Sequence, residues 1–380
     1  MKKKYIIFFI VTLVLLVALI TSFNYFKTTN TYIDDSVNNQ TKITKGISMN
    51  LEQTAGAGDY KTVTQSGWPT EGYKFNAELS RCENGSTLSW DDTKKAVIVS
   101  GNLSDKCYVY FDIYQPTLAE YIKSQYTGTQ GDNGIYYHNS TLANGAGDNS
   151  YRYAGASDSV NNYICLGSDA ATCPDANLFR IIGVFGNQTK VIRAKSVGDK
   201  QWHTSQVNTW SSSSLNTYLN GEYLTSLGTL KNKIATTTWK VGGGSWSNIV
   251  NSVPKTVYQY EVGSSASTTT VDKKIGLMYV TDYYYSASPS AWTLVGFDND
   301  ATKDYRAAKT TNWLYLGSYE WTISRFSDTA ISVFGVSSTG FVSGYDVTNS
   351  YAVRPSFNLE SSVKYVSGSG SMSDPVRVTD

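Results

Sequence analysis

Histidine is nearly absent from this chain: His138 and His203 are the only two in 380 residues. That leaves little material for His-based hydrolysis, which needs a nucleophile with a base, or paired carboxylates, held in a frame. Cysteine is scarce as well, with four residues and no C-x-x-C spacing, so zinc has no motif to occupy. Lys+Arg is 32 against Asp+Glu 31, a formal net charge of +1. Nucleic acid as a partner is excluded on that balance, because binding it needs a concentrated basic face. No G-x-S-x-G elbow occurs. Gly242-Gly243-Gly244 lacks a following G-K-[ST], so it reads as a flexible turn and not as a phosphate loop.

One long apolar run is present. Residues 5–23 carry no charge and follow Lys2, Lys3 and Lys4. As a helix rising ~1.5 Å per residue, the run falls just short of a ~30 Å hydrocarbon core. The three lysines keep the N-terminus inside and send the rest of the chain outside. The run is longer than the apolar region of a cleaved signal, and Ala18-Leu19-Ile20 matches a small-residue cleavage site poorly. The expectation is therefore a basic cytoplasmic tail (1–4), a transmembrane signal anchor (5–23) and an extracellular remainder. A cleaved signal releasing a secreted protein is the other reading. Without the three lysines the charge of the external part falls from +1 to −2, and that part has no polybasic run to hold an anionic membrane surface.

Aromatics make up 13% of the chain, led by 29 Tyr, while Pro numbers only 7. Aromatic and β-branched residues suit strands, and Gly, Asn and Ser suit tight turns. The cysteines fall into two local pairs, Cys82 with Cys107 and Cys165 with Cys173. In an oxidising compartment these read as disulfides, although four cysteines allow three connectivities. Residues 24–60 read as a polar stalk, with one strand near 47–51. Residues 61–116 read as a small β module tied by Cys82 and Cys107, with strands at 73–79, 88–90, 96–99 and 106–114. Residues 117–380 form a C-terminal domain. It begins with a short helix at 117–126 and holds an amphipathic helix at 211–227, where Leu215, Tyr218, Leu219 and Tyr223 recur at helical spacing. The segment 178–186 (LFRIIGVFG) reads as a long strand and 274–282 (KIGLMYVTD) as a core strand. Further short strands follow at 313–316, 321–324, 331–336, 340–343 and 352–359.

The motifs 210–220 (WSSSSLNTYLN), 275–282, 320–325 (EWTISR) and 353–359 (VRPSFNL) resemble an uncharacterised domain family of exported and phage-linked proteins of gut Firmicutes. Its pattern runs W-x-x-S-x-L-x-x-W/Y-L-N, then W-L-R-S, then V-R-P-x-F-x-L, and the likeness covers about 200–366. That family in turn is distantly similar to the formylglycine-generating-enzyme-like branch of the C-type-lectin-like fold. The resemblance implies a predominantly β, α+β fold class with a C-terminal C-type-lectin-like domain. Two departures matter. Ile323 stands where the family usually has Arg. No cysteine follows Cys173, so the copper-binding cysteines of true formylglycine-generating enzymes are missing and their chemistry is not carried over. The segment 73–111 also resembles a module found upstream of this domain in similar anchored proteins, with no activity attached.

Two sets of residues are candidates for a site. Tyr283, Tyr284, Tyr285, Trp292 and Trp313 offer rings that can stack on sugars or anchor a protein contact. On a strand the three consecutive tyrosines cannot all face inward, so one at least is expected at the surface; the alternative is a core role. Asp298, Asp300 and Asp304 place oxygens at alternate positions, a spacing that suits calcium, although the Gly of an EF-hand loop is missing and a solvated turn is the plainer reading. No other cofactor is implied. Arg354 is expected to pair with a carboxylate or with loop carbonyls. The expectation for function is a membrane-anchored bacterial surface protein, not an enzyme, presenting an adhesin-like domain that recognises a glycan or a protein on a host or bacterial surface. The alternatives are a pilus-like structural component, which predicts assembly, and an extracellular hydrolase, which predicts activity lost when His138 or His203 is replaced.

Overall fold

The computed structural model describes residues 46–63, 68–69, 72–102, 104–295 and 308–379. The expected transmembrane run 5–23 lies outside them. Among the described residues no helix is long and apolar enough to cross a membrane. The chain divides into two compact units, 1–115 and 116–380.

In the first unit the strands are β1 (Ile47–Glu52), β2 (Tyr60–Val63), β3 (Tyr73–Phe75), β4 (Arg81–Cys82), β5 (Thr87–Asp91), β6 (Ala96–Ser100) and β7 (Cys107–Ile113). β7 is the hub. It pairs in parallel with β1 and antiparallel with β3 and β4, while β5 and β6 form a separate hairpin. Cys107, Val109 and Phe111 alternate inward along β7, the period of a half-buried strand. Val109 and Phe111 meet Met49, Leu51 and Val97 in a small core. Rings of Trp68, Phe75 and Trp90 surround Phe111 at 5.6 to 5.9 Å. Cys82 lies opposite Cys107 in the β4–β7 register, and the two form a disulfide.

β1 is the strand expected near 47–51, but it belongs to the sheet of the module and not to a stalk. Met49 and Leu51 are buried because β1 docks on β7, a pairing between residues far apart in the chain that local patterning does not reveal.

The second unit opens with α1 (Leu118–Ser124). Its capping box is complete: the Thr117 hydroxyl accepts from the Glu120 N–H, and the Glu120 carboxylate accepts from the Thr117 N–H. The strands that follow are β8 (Ile135–Tyr137), β9 (Tyr151–Tyr153), β10 (Tyr163–Cys165), β11 (Leu178–Phe185), β12 (Gln188–Arg193), β13 (Asp199–Gln201), β14 (Thr237–Lys240), β15 (Thr270–Lys273), β16 (Ile275–Gly276), β17 (Glu320–Arg325), β18 (Ser332–Val336), β19 (Val342–Asp346), β20 (Ser350–Ala352) and β21 (Ser356–Asn358). One sheet runs β16-β21-β12-β11-β9-β8, with β10 also on β11; another runs β13-β20-β17-β18-β19; β14 and β15 pair alone. A single large core joins them.

β11 is buried along nearly its whole length, as an apolar run enclosed on both faces must be. Gly183 interrupts it where the β11–β12 register shifts. A Cβ there would lie 2.3 Å from the Tyr151 carbonyl oxygen of β9, so only glycine lets the strands approach. The glycine run 242–244 has a similar cause: Gly243 takes φ +66°, and a Cβ would sit 1.8 Å from the Arg325 carbonyl oxygen. The turn is a close packing contact with β17.

The expected α+β, C-type-lectin-like domain is corrected by this architecture. The described residues are mostly β with few helices, and the longest uninterrupted α-helix, α3 (Pro254–Glu261, introduced below), has eight residues. The helices expected at 117–126 and 211–227 form at Leu118–Ser124 and, continuously with a π-helical turn, over 214–226, while the continuous apolar runs enter sheets.

Local contacts account for the recurring motifs. In 210–220, Ser213 caps α2 (Ser214–Tyr218) by accepting from the Asn216 N–H. Trp210, Leu215 and Leu219 face the core. A π-helical turn follows at Leu219–Tyr223. Within it the Asn220 amide donates to the Ile275 carbonyl at 2.8 Å and accepts from the Ile275 N–H at 3.0 Å, imitating a strand neighbour for β16. In 320–325 and 353–359, Arg354 forms a two-pronged ion pair with Glu320 at 2.6 and 2.8 Å and donates to the Leu314 carbonyl. This is the structural role expected of it.

Cys165 and Cys173 are joined as well, closing the loop after β10. The entropy of a loop the size of the one closed by Cys82–Cys107 amounts to about 3 kcal/mol. Replacing both Cys82 and Cys107 by Ala is expected to lower the unfolding free energy of the first unit by about that amount. Urea titration of the full chain, followed through Trp68 and Trp90 fluorescence, measures it; an unchanged midpoint would refute the structural role.

Candidate functional site

The core helix of the second unit sits in sequence expected to be strand. β16 stops after Gly276, and α4 (Val280–Tyr285) begins. Two carboxylates start it. Asp282 Oδ2 accepts from the Tyr279 N–H at 2.8 Å. Glu261, the last residue of α3, accepts from the Val280 and Thr281 N–H groups at 2.9 and 2.8 Å and from the Ser324 hydroxyl. Negative charge at a helix N-terminus is stabilising, and it satisfies donors the helix cannot.

Because α4 is enclosed on all sides, Tyr283, Tyr284 and Tyr285 are all buried. The strand-based expectation that one of them is exposed is corrected by this. Their hydroxyls donate to the carbonyls of Gly340, Ile249 and Asn144. Trp292 and Trp313 are also buried, with indole N–H groups donating to Ala287 and Tyr153. The five rings are core, their polar tips satisfied inside, and they offer no stacking surface. Asp298, Asp300 and Asp304 lie outside the described residues. Among the described residues no cluster of His, Cys, Asp and Glu is arranged to hold a metal.

α4 positions a different set of groups. Lys190 of β12 donates to Asp282 Oδ2 at 2.5 Å. Arg152 of β9 reaches within 4.0 Å of Asp282 Oδ1 and bonds Asp148 at 2.6 Å. Arg152, Lys190 and Asp282 are each at most 5% exposed. Aromatic rings cover the cations: Lys190 Nζ stands 4.5 Å from the Tyr279 ring centre and 5.3 Å from that of Trp239, and the Arg152 guanidinium 5.1 Å from that of Tyr285. Burial pulls the Lys190 amine down, with Asp282 opposing. Burial alone would raise the Asp148 carboxyl, but the Arg152 charge and the Ser150 donors outweigh it and hold it at about 2.

This chain of charges forms the floor of a cavity of about 260 Å³, near the lower end of the ~300–1,000 Å³ usual for ligand pockets. Phe185, Tyr258 and Tyr279 line it and are partly exposed; Gln188 and Asn358 add amides. A larger cavity of about 620 Å³ lies beside the Cys165–Cys173 loop. Its lining combines Leu166, Leu230, Leu359, Val363 and Val366 with the charged residues Asp169, Lys233 and Arg377. Arg377 is engaged there by the Ser168 and Ala170 carbonyls. The smaller cavity carries the chemistry.

None of the smaller cavity's residues was singled out from sequence. The available signal was a charge inside a strand: Arg152 between two tyrosines, and Lys190 within QTKVIR. His138, named for its residue type alone, is fully buried between Tyr285 and Trp292. Its Nδ1 accepts from the Ala146 N–H at 3.1 Å. Burial pushes the imidazole well below its ordinary 6.5, and the Arg152 charge adds to this.

Asp282→Ala leaves Lys190 buried without its carboxylate and is expected to cost about 3–5 kcal/mol, measurable by denaturant unfolding. For His138 the folded value lies below the unfolded one, so its contribution is present above about pH 6.5 and is lost as pH falls through that value. Thermal midpoints are expected to drop between pH 7 and 5 in the unaltered chain and to stay level in His138→Asn. Equal drops in both would refute the assignment.

Residues 186–361 match a family described as a domain of unknown function, DUF6273. The match covers most of the cavity lining but stops short of Asp148, Arg152 and Phe185. No curated protein and no solved structure matches the chain.

Proposed function

We propose that this is a membrane-anchored bacterial cell-surface protein whose 116–380 unit is a recognition module, with the charge-floored cavity as its binding site and a glycan end as its ligand. One observation carries the reading: buried, fixed charges and partly exposed aromatic side chains converge on a small concavity. Ligand sites are concave, largely apolar and carry a few convergent polar groups, and rings of Tyr and Phe suit the faces of a sugar. A protein partner would need a broad patch, and the aromatic set that could have supplied one is in the core. Two disulfides agree with an oxidising, extracytoplasmic compartment, and the charge-free run 5–23 supplies the anchor.

Binding without turnover is favoured by the way the carboxylates are used. Asp148, Asp282 and Glu261 are each engaged by buried donors within the protein. A general acid or base must be free to exchange a proton with substrate.

A glycan array probed with the full chain in detergent tests this. A saturable hit is expected, and Tyr258→Ala should weaken it at least about tenfold while leaving the thermal midpoint within a degree or two. A hit indifferent to Tyr258→Ala would place recognition elsewhere. A blank array would remove the glycan reading.

A further inference from the structure

We propose that the cavity takes an acidic saccharide, a sugar ring bearing one carboxylate, and that Arg152 and Lys190 hold that carboxylate. This rests on the glycan reading above.

Donors and acceptors in the cavity are out of balance. Three of the four carboxylate oxygens are engaged, and Asp282 Oδ1 faces only Arg152 Nη1, at 4.0 Å. Asp148 Oδ1 takes the Ser150 N–H and hydroxyl at 3.1 and 2.6 Å, and its Oδ2 takes Arg152 Nη2 at 2.6 Å. Asp282 Oδ2 takes both the Tyr279 N–H and Lys190 Nζ, at 2.8 and 2.5 Å. The donors are not exhausted. A lysine has three N–H bonds and an arginine five. Lys190 uses one on Asp282. Arg152 uses Nε on the Ser150 hydroxyl and Nη2 on Asp148, while Nη1 stays 4.0 Å from Asp282 Oδ1, beyond hydrogen-bond distance. Spare donors on buried cations are costly to leave unmet, and a carboxylate meets them with charge-assisted bonds.

The sign and size of the ligand charge follow from the same four groups and from Lys240, a fifth charged residue of the lining, whose amine donates to the Gly263 carbonyl at 3.0 Å. Arg152 and Lys190 are opposed by Asp148 and Asp282, so the floor is close to neutral. It can accept one added negative charge near its spare donors, whereas a doubly charged phosphate would meet two fixed carboxylates. The ring requirement comes from the walls: Phe185, Tyr258 and Tyr279 stand partly exposed around the floor. A volume of about 260 Å³ confines the buried part of the ligand to roughly a single sugar unit.

Titration calorimetry on the full chain in detergent compares four probes: trigalacturonate, its methyl ester, neutral galactotriose, and the methyl glycoside of N-acetylneuraminate as a second source of the same chemistry. At least one of the two acids is expected to bind about tenfold or more tighter than the ester and the neutral trisaccharide. Arg152→Met should abolish that preference, while Tyr258→Ala weakens acid and ester alike. The acid-to-ester ratio is read on the unaltered chain, so misfolding of a variant does not decide the outcome. Acid and ester binding within about twofold of each other would overturn the proposal and leave the glycan site standing. An acidic tripeptide that outcompetes both acids would overturn the requirement for a ring. If none of the four probes binds, the acidic-sugar assignment falls, and the glycan array alone decides the wider reading.

Discussion

Asp282 is the residue on which the second unit turns. Its carboxylate starts α4 through the Tyr279 N–H, holds Lys190 of β12, and faces Arg152 of β9. Three elements that are distant in sequence thereby share one buried charge. Such an arrangement is a poor source of net stability, because desolvating the ions offsets most of their attraction. It is strongly selective, however. Any packing that separates α4 from β9 or β12 leaves an ion in the core without a partner, and that costs several kcal/mol. The same geometry makes the cavity: the cations are held in place by the fold and are not ordered by the ligand.

The core repeats this device elsewhere. Arg354 and Glu320 bond through both prongs between the β20–β21 connection and β17. Arg180 of β11 has no carboxylate bonded to it. It is held by Asn162, Ser157 and backbone carbonyls and lies 4.3 Å from the Tyr163 ring centre. Its burial, with Arg354 nearby, lowers its pKa to about 10. Glu261 is paired with backbone donors, and its burial raises its carboxyl. These sites are closed to solvent and fully used by the protein. The Asp148–Arg152–Asp282–Lys190 chain differs in opening onto a cavity with donors to spare, and for that reason the proposed recognition role is placed there.

The motifs most easily seen in the sequence belong to the scaffold. Trp210, Ser213, Leu215, Leu219 and Asn220 build a capped turn and brace β16, and Glu320 with Arg354 clamps two strands. Residues that must satisfy several local geometric demands leave a readable pattern. The cavity has no such pattern. Its members come from β9, β11, β12, β14, α3, α4, β21 and the loop before β9, and nothing in the spacing between these segments announces that they converge. Conversely, consecutive aromatics such as Tyr283, Tyr284 and Tyr285 drew attention as a surface. They proved to be core because the segment is a helix packed on every side.

The sequence by itself determined what local chemistry can determine. It set the pairing of cysteines close in the chain, the strand along 178–185, the capped turn after Trp210, the structural role of Arg354 and the small net charge. Each depends on neighbours within a few residues, or on composition alone. Tertiary structure decided the rest. It drew β1 into a sheet with β7, set the Glu261 carboxylate at the start of the helix over 280–285, and buried Trp292 and Trp313. It also set Arg152 and Lys190 around one aspartate. Those outcomes depend on contacts between residues tens to more than a hundred positions apart, and the energy of such a contact exists only once the chain has closed the loop between them.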